Sequence, residues 1–594
     1  MTYRAALNDI RFALNAIVGA GRLAETERYA DATPELVDQI VEEAGRFTTE
    51  VLAPLNTVGD RQGSHLKDGK VVTPDGWADA YRQFWEGGWN GVAAPAEHGG
   101  MGLPILLQIA VSEMMTSANM SFGLCPLLTQ GAIHALEAHG TDEQKERYLG
   151  KLVTGQWTGT MNLTEPQAGS DVGALTTKAE PAGDGTYKIT GTKIYITYGD
   201  HEMAENIIHL VLARLPDAPL GTRGISLFLV PKYLLNDDGT PGTRNALRPL
   251  SLEKKLGIHA SPTCVMSYEG ATGYLVGEEN QGMKAMFTMM NDARLGVGTQ
   301  GVGIMERAFQ QALAYAQERK QGKPVGKQHA QKEMVPIIEH ADIRRTLLHM
   351  KALTMAARGL CYDTALHADL SMAAATEEER AAAKARVELL TPVAKSWSTD
   401  KGVEVASLGI QVHGGMGFIE ETGAAQHLRD ARIAPIYEGT NGIQALDLVA
   451  RKLPMQMGGV VRAYLEEVVE TADALRATNA PHLVTIADRL KTATEQLGRA
   501  TMWIGQKLAS GEIEDALAGA TPYQSAFGTV AGGFYLARGV LAAHKAGDES
   551  PTAQTALQLA RFYAEQELPH TEGYCAAAMS GADLVGVTAE QLAS

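Results

Sequence analysis

The chain has 594 residues, of which 45% are hydrophobic and 6% aromatic, and its formal net charge is −17. This length exceeds what one hydrophobic core supports, so several domains are expected, and the apolar content excludes a disordered chain. The acidic charge disfavours nucleic acid and anionic membranes as partners. The four cysteines are far apart and form no CxxC pair, so neither a metal site nor a disulfide framework is predicted.

The N-terminal segment carries Arg4, Asp9 and Arg11 before a short, interrupted apolar run. That run is too short for the apolar core of a signal peptide or for a membrane span. We therefore expect a cytoplasmic protein.

Hydrophobic periodicity divides the chain into helical and β-rich regions. Helical spacing up to about Gly155 predicts a helical domain, interrupted by a Gly-rich turn at residues 97–104. Short runs rich in β-formers and bounded by turn residues then predict strands at 186–197, 207–215, 224–231 and 264–277.

After Gly282 the helical period returns. The fold class expected is therefore mostly α with a central β domain. The predicted segments are an N-terminal extension at 1–35, a helical domain at 36–160, a β domain at 161–281, a second helical domain at 282–460 and a C-terminal helical domain at 461–594.

The first segment with chemical potential is MNLTEPQAGSDVG, which begins at Met161, where helices give way to strands. Thr164, Gly169 and Ser170 surround a turn that offers hydroxyls and backbone N–H groups to an anionic, oxygen-rich cofactor. Taken alone, a turn of this kind is more often a plain connector.

The second segment is IYEGTNGIQALDLVARKL, in which Glu438 precedes a Gly-Thr-Asn-Gly turn. Thr440 or Asn441 is expected to cap the helix that follows. Glu438 is either an ordinary acidic residue near a helix N-terminus or a general base that becomes more basic when substrate expels water. The apolar stripe predicted for the helix consists of Ile443, Leu446, Val449 and Ala450.

A third segment contains a Gly-Gly-Met-Gly turn at Gly414–Gly417, about twenty residues before Glu438. By itself this turn is weakly specific. The sequence contains no G-x-G-x-x-G turn opening a βαβ unit, so a nicotinamide site of the Rossmann type is not supported.

Together these segments resemble the acyl-CoA dehydrogenase family over about Leu36 to Leu453. The resemblance rests on LTEPQAGSDVG, TGTKIYIT, NDARLGVG, ERKQGKP, QVHGGMGF and IYEGTNGIQ, all in family order. It implies a helical domain, a β-barrel-like domain and a four-helix domain, here with a C-terminal helical extension. It also implies FAD-dependent oxidation of an acyl-CoA thioester to the trans-2-enoyl-CoA.

The resemblance assigns Glu438 as the base that removes the α-proton, and it implies no metal. The residues that it places against FAD are Met161, Leu163, Thr164, Gly169, Ser170, Tyr195, Thr197, Arg319, Gln411, Gly414, Gly415, Thr440 and Asn441. The residues that it places against the acyl-CoA are Ser170, Asn291, Arg294 and Gly439.

Two positions depart from the family pattern. Gln321 and Gly322 stand where an aromatic residue often contacts the cofactor, which affects the expected contacts at the adenosine end. Gln426 stands where a basic residue is usual.

The chain looks most like the C-terminally extended bacterial branch that includes 3-(methylthio)propanoyl-CoA dehydrogenase. This resemblance implies that thioester as substrate, in dimethylsulfoniopropionate degradation. An ordinary short- or medium-chain acyl-CoA of β-oxidation is the alternative. Met114, Met115 and Met120 lie in the region that lines the acyl pocket of relatives, although methionines at helical spacing usually fill a core.

A flavoprotein that lost turnover, or a nucleic-acid-binding relative, is an alternative of another class. The last segment argues against nucleic acid and membrane, because residues 465–594 hold 16 acidic and 8 basic side chains. The resemblance implies an electron-transfer flavoprotein as electron acceptor. We also expect a homo-oligomer, a dimer rather than a tetramer.

Overall fold

The computed structural model describes residues 3–323 and 333–594. They form two compact units. The N-terminal unit contains residues 3–5 and 43–296, and the C-terminal unit contains residues 6–42 and 297–594. This grouping by contacts differs from the five predicted segments, whose boundaries stay a prediction.

The described residues are mostly helical. In chain order the helices are α1 (Leu7–Phe12), α2 (Pro34–Phe47), α3 (Leu55–Gln62), α4 (Trp77–Glu86), α5 (Ile105–His139), α6 (Asp142–Gln144), α7 (Gly150–Thr154), α8 (Gly282–Glu318), α9 (Ala341–Ala373), α10 (Glu377–His413), α11 (Ala424–Ala431), α12 (Asn441–Asp447), α13 (Gly459–Ala477), α14 (Pro481–Ser510), α15 (Ile513–Ala518), α16 (Ala520–Ala546), α17 (Pro551–Gln566), α18 (His570–Ala578) and α19 (Ala589–Ala593).

All the strands of the described residues lie in the N-terminal unit. They are β1 (His65–Lys67), β2 (Lys70–Val72), β3 (Trp157–Asn162), β4 (Lys178–Pro181), β5 (Tyr187–Thr197), β6 (Asn206–Arg214), β7 (Ile225–Pro231), β8 (Tyr233–Leu235), β9 (Pro241–Arg244), β10 (Leu247–Leu252) and β11 (Thr263–Val276).

The main sheet has seven strands in the order β10-β11-β5-β4-β6-β3, and β7 pairs with both β11 and β6. The four predicted strands correspond to β5, β6, β7 and β11, and each end agrees within one residue. The shorter strands were missed because three or four residues carry too little periodicity. β3 was missed because it is buried on both faces and shows no alternation.

A hairpin inside the predicted helical region was also missed. β1 and β2 pair across Asp68 and Gly69, both with positive φ. The Asp-Gly pair is a typical signal for such a tight turn, so the sequence did contain the information.

The C-terminal unit is a helical bundle in which small residues allow close packing. A Cβ on Gly301 of α8 would lie 2.3 Å from the carbonyl oxygen of Ser398 in α10, and a Cβ on Gly528 of α16 would lie 2.2 Å from Trp397. Both α8 and α16 therefore pack directly on the middle of α10.

α16 is also the one described helix that is long and apolar enough to cross a membrane. Of its apolar window, 89% is buried within the protein. That burial is typical of the core helix of a bundle.

Candidate active site

The backbone at Glu438 adopts a conformation that is uncommon for a residue with a side chain. Its φ is 58°, and Gly439 follows with a φ of 80°. A non-glycine residue in this region costs about 1–3 kcal/mol and persists only where its surroundings enforce it. The turn is therefore held in place by its neighbours.

Two side chains hold the carbonyl groups of this turn. Gln444 donates from Nε2 to the Glu438 carbonyl at 3.1 Å. Lys395 is fully buried in α10 and donates from Nζ to the Gly439 carbonyl and to Asn441 Oδ1, each at 2.8 Å. The catalytic candidate thus lies on a loop fixed by hydrogen bonds on both sides.

Asn441 anchors the loop to α10. Its Nδ2 donates to Ser396 O at 3.1 Å and to Asp400 Oδ1 at 2.7 Å, and it also lies 3.0 Å from Thr399 Oγ1. With Lys395 on its Oδ1, the amide is engaged by protein groups at both ends. The predicted contact of Asn441 with cofactor stays a prediction, and its geometry indicates a positioning role.

The helix after the turn begins as predicted but buries a different face. Thr440 is the N-cap of α12, and its Oγ1 accepts from the Ile443 N–H at 3.3 Å. The predicted apolar stripe was wrong at two positions, because Leu446 is 41% exposed and Ala450 is also exposed, whereas Val449 is buried as predicted and Ile443 is half-buried. The other buried residues are Gln444, Ala445, Asp447 and Leu448.

The physical reason is the polar contact made by Gln444. Its amide must face the Glu438 carbonyl, which turns the helix away from the face that apolar periodicity favours. From Leu448 the helix also continues as a π-helix to Lys452, which shifts the period of the later residues.

Tyr437 directly precedes Glu438 and points its hydroxyl at Gln300 Oε1, to which it donates. Burial and the neighbouring Glu438 carboxylate raise the pKa of the Tyr437 phenol. The phenol therefore stays protonated and keeps this hydrogen bond at neutral pH.

In the N-terminal unit, the loop after β3 is organised by Glu165. Its carboxylate accepts hydrogen bonds from the backbone and hydroxyl groups of Thr176 and Thr177, at 2.6–3.0 Å, and from Lys193 Nζ at 2.9 Å. Burial opposes ionisation, but Lys193 and these hydrogen bonds prevail and lower the pKa of Glu165 to about 2.

Lys193 also donates to the Leu163 carbonyl at 2.8 Å, and the Ile194 N–H donates to the Thr164 carbonyl at 2.9 Å. Lys193 is fully buried, and this desolvation lowers its pKa to about 8. The loop carrying Met161, Leu163 and Thr164 is thereby fixed to β5.

A bulge in β5 exposes Tyr195. The register against β11 shifts between Cys264–Ile196 and Met266–Lys193. Tyr195 lies in this bulge with a φ of 61° and is 60% exposed, and Thr197 resumes the ladder opposite Thr263. Bulges of this kind redirect a side chain and are common beside active sites.

The remaining predicted cofactor residues are accessible, on loops or, for Gln411, in the last turn of α10. Ser170, Arg319 and Gln411 are exposed. A Cβ added to Gly169, Gly414 or Gly415 would meet nothing within 4 Å. These glycines therefore leave the backbone open to a bound group.

The predicted substrate residues on α8 differ in exposure. Asn291 is exposed, whereas Arg294 is 8% exposed. Met114, Met115 and Met120 are all buried within α5, as expected for methionines that fill a core.

At the departures from the family pattern, other contacts are made. The Gln321 carbonyl accepts from His340 Nε2 at 2.8 Å, and Gly322 has a φ of 68°. Gln426 is buried and donates to Asp430 at 3.2 Å. In the described parts of the chain, no group of three His, Cys, Asp or Glu residues is arranged to hold a metal ion.

Sequence reasoning missed Lys395, Gln444, Glu165 and Lys193. A lone lysine in the apolar run TPVAKSW, mid-helix, was a usable signal, because lysine is rarely buried unless it is paired. The roles of Gln444 and Glu165 carry no local signal, since their partners become apparent only in the folded chain.

Comparison with known proteins matches four consecutive stretches of the chain, between residues 34 and 586, to family models. Residues 34–156, 160–271 and 280–453 match the family models for the N-terminal, middle and C-terminal domains of acyl-CoA dehydrogenase. Residues 464–586 match the model described as acetyl-CoA dehydrogenase C-terminal like.

Two relatives match almost the full length. The chain is 48% identical over 575 residues, 96% of each chain, to a 3-methylmercaptopropionyl-CoA dehydrogenase of Ruegeria pomeroyi. It is 31% identical, again over 96% of each chain, to a broad-specificity linear acyl-CoA dehydrogenase of Mycobacterium tuberculosis.

Among solved structures, an acyl-CoA dehydrogenase of Bacillus anthracis complexed with FAD aligns with a TM-score of 0.75 at 22% identity. The alignment covers 96% of this chain and 92% of that one. The predicted fold class is confirmed.

Proposed function

The chain belongs to the acyl-CoA dehydrogenase family, and on this basis we propose that it uses FAD to oxidise 3-(methylthio)propanoyl-CoA to 3-(methylthio)acryloyl-CoA. Family membership makes it an oxidoreductase that acts on a CH–CH bond beside a thioester. The specific substrate is supported by the Ruegeria relative, whose 3-methylmercaptopropionyl-CoA is the same compound. A general short- or medium-chain specificity is the alternative, supported by the mycobacterial relative.

The observation that carries the proposal is the constrained backbone of Glu438. A carboxylate on a left-handed residue, with hydrogen bonds on its own carbonyl and on that of Gly439, has its position set by the surrounding fold. Such strain is stored where geometry matters for function. A general base that must meet one proton needs this preorganisation.

The residues around the β3 loop fit FAD. Thr164 and Ser170 supply hydroxyls, Gly169 leaves the backbone open, and the bulge presents the ring of Tyr195 to a flat group. We propose that these residues hold the flavin end, and that Arg319, Gln411, Gly414 and Gly415 hold the pyrophosphate and adenosine end. When bound, FAD would supply the acceptor for the hydride that leaves the β-carbon.

The protein's own contribution is proton removal and charge stabilisation. Glu438 takes the α-proton, and exclusion of water by substrate increases the basicity of its carboxylate. The backbone N–H of Glu438 is implied as a donor to the thioester oxygen, on which negative charge develops. A donor aimed at such an oxygen contributes about 3–4 kcal/mol to the transition state.

We also propose an electron-transfer flavoprotein as acceptor, a homodimeric assembly and a cytoplasmic location. The dimer is supported by apolar side chains next to Gly414 and Gly415: Met416, Phe418 and Ile419 are 46%, 86% and 44% exposed. A cluster of exposed apolar residues of this kind marks an interaction surface.

The test is anaerobic reduction of the bound flavin by a panel of esters. The purified full-length holoenzyme would be mixed with methylthiopropanoyl-, butanoyl-, octanoyl- and palmitoyl-CoA, and the absorbance near the flavin maximum followed by stopped flow. Glu438→Gln would be run in parallel as the variant that lacks the base.

Fastest reduction by the methylthiopropanoyl ester, abolished in Glu438→Gln, is the expected result. Faster reduction by butanoyl- or octanoyl-CoA would assign the chain to general β-oxidation instead. A flavin that none of the esters reduces would refute the dehydrogenase proposal for these substrates.

A further inference from the structure

A small cavity lies within the N-terminal unit. Its walls come from residues 90–94, from both arms of α5 on either side of Asn119, where the helix is interrupted, and from residues 292–296 of α8. Its volume is about 50 Å³. At about 10–15 Å³ for each water-sized group, it accommodates roughly four such groups.

Four polar atoms on the cavity wall are buried and have no hydrogen-bond partner among residues 3–323 and 333–594. They are Gln108 Nε2, Gln108 Oε1, Gln130 Nε2 and Asn90 Oδ1. Gln108 is 6% exposed and Asn90 is 1% exposed. The other end of the Asn90 amide donates to Leu152 O at 2.7 Å, which fixes the orientation of this side chain.

Four unpaired polar atoms in one small cavity are unusual. Native proteins pair nearly all buried polar groups with protein or ordered water, and each orphan is costly. The other buried side-chain atoms of this unit that lack a partner among the described residues, such as Ser117 Oγ, His209 Nε2 and Ser261 Oγ, belong to residues that do not line this cavity. The cavity is therefore built for a guest that forms hydrogen bonds.

The rest of the wall is mainly apolar, with Ile105, Ile109, Leu127, Ile133 and Leu295 among its residues. It also contains Ser112 and the paired side chains of His134 and Asp292. Gly296 also lies on the wall, and a Cβ there would lie 2.3 Å from Leu127 Cδ1. A wall of this composition suits a short aliphatic group that carries one weakly polar atom. A longer chain does not fit in the volume available.

We propose that this cavity receives the distal end of the acyl chain and recognises a heteroatom in it, with Gln130 and Gln108 as specificity-determining residues. The inference rests on the proposed function. Asp292 and Leu295 of the wall lie on the same turns of α8 as Asn291 and Arg294, the residues expected to contact the acyl-CoA.

The chemistry of the guest follows from the donors. A thioether sulfur is a weak acceptor, and the amide groups of Gln130 and Gln108 donate to it. The oxygens Gln108 Oε1 and Asn90 Oδ1 accept from a water molecule that shares the cavity. An all-carbon chain leaves the amide donors unpaired and is bound less well.

The test compares two esters of the same length and shape. Pentanoyl-CoA is 3-(methylthio)propanoyl-CoA with a methylene in place of sulfur. The ratio of their kcat/KM values would be measured for the holoenzyme, for Gln130→Met and for Gln108→Met. Gln83→Leu, on the exposed side of α4 and outside the cavity, is the matched amide-to-alkyl control.

We expect the preference for the sulfur ester to fall about 3- to 10-fold in each cavity variant and to stay unchanged in Gln83→Leu, as for loss of one hydrogen bond. A second readout needs no turnover. In the Glu438→Gln background, the dissociation constants of the two esters, from flavin spectral shifts, should converge when Gln130→Met is added.

The outcomes separate the two proposals. If the wild type oxidises both esters and neither cavity variant changes their ratio or their relative affinity, the heteroatom subsite is refuted and the dehydrogenase stands. If neither ester reduces the flavin, the proposed function fails and this inference fails with it. Because the variants remove unpaired buried amides, a fall in melting temperature of several degrees would also contradict the proposal, since it would mean the amides are already paired.

Discussion

The two loops that carry the proposed chemistry are held by buried charges of opposite sign. In the C-terminal unit, the Lys395 ammonium donates to the carbonyl that follows Glu438. In the N-terminal unit, the Glu165 carboxylate accepts from the N–H groups of Thr176 and Thr177, and Lys193 balances it. In both cases a buried ion is paired with backbone, which fixes a loop more firmly than apolar contact because the bonds are directional.

The loops differ in how much of that support is local. Glu165 belongs to the loop that it organises, whereas Lys395 lies 44 residues before Gly439 in the chain. The first loop is thus partly self-supporting, and the second depends on α10 being in place. Variants in the two loops should therefore fail in different ways.

The largest effect is expected for Glu438→Gln. Removing the base should slow flavin reduction by about 10²- to 10⁴-fold. FAD should stay bound, because the residues proposed for the flavin end lie in the other unit. The measurement is exchange of the substrate α-proton with deuterium, by NMR. Exchange at the wild-type rate would show that another group is the base.

Lys395→Met is expected to cause the next largest loss of activity. It leaves the Gly439 carbonyl and Asn441 Oδ1 without their donor, which costs about 1–3 kcal/mol for each buried acceptor. The loop should sample other backbone conformations, so kcat should fall by about 10- to 100-fold while the affinity for FAD is retained. Lys395→Arg is the comparison variant that keeps the charge.

A fall in FAD affinity equal to the fall in kcat would show that Lys395 supports the whole unit and not this loop. A Michaelis constant that rises in proportion, with kcat unchanged, would equally contradict a role in positioning Glu438.

Glu165→Gln should produce the opposite pattern. The neutral amide cannot accept all the donors that converge on the carboxylate, so the loop from Leu163 to Ser170 should loosen. We expect the dissociation constant for FAD to rise by about 10-fold, with the rate at saturating FAD changed far less. The measurement is a fluorescence titration of the apoprotein with FAD. If the FAD affinity is unchanged, Glu165 does not hold the cofactor loop, and the proposed difference between the two loops is refuted.

The difference in stability between the wild type and Glu165→Gln should depend on pH in a direction set by the Glu165 pKa. The pKa of Glu165 is lowered to about 2 in the folded protein, so its carboxylate stabilises the fold fully above its ordinary pKa of about 4.5 and progressively less as pH falls from there towards 2. The gap in melting temperature between wild type and Glu165→Gln should therefore be constant from pH 7 to 5 and shrink below. A gap that widens in acid would contradict the assignment.

The smallest effect is expected for Thr440→Ala. Loss of the cap on the Ile443 N–H costs about 1 kcal/mol, which corresponds to roughly fivefold faster local opening. Hydrogen exchange of peptides covering α12 is the measurement, and Thr440→Ser is the control that keeps the acceptor. Exchange unchanged in Thr440→Ala would show that Gln444 and Asn441 hold the helix start without the cap.

Much of this protein could be read from local sequence. The ends of β5, β6, β7 and β11 agree with the periodic pattern within one residue, because alternation and flanking turn residues are properties of neighbouring positions. The Thr440 cap is local for the same reason. The family motifs also predicted the base and the cofactor loop, and these site assignments stay a prediction.

The partners of buried polar groups could not be predicted from the sequence. Asn441 meets Lys395, 46 residues away, and Gln444 rotates α12 away from its apolar stripe to reach the Glu438 carbonyl. The unpaired amides of Gln108 and Gln130 likewise become apparent only when the arms of α5 and residues 292–296 of α8 enclose one cavity. Local pattern decides which element forms, but a buried polar atom must find its partner wherever the fold brings one, and that pairing is decided by tertiary structure.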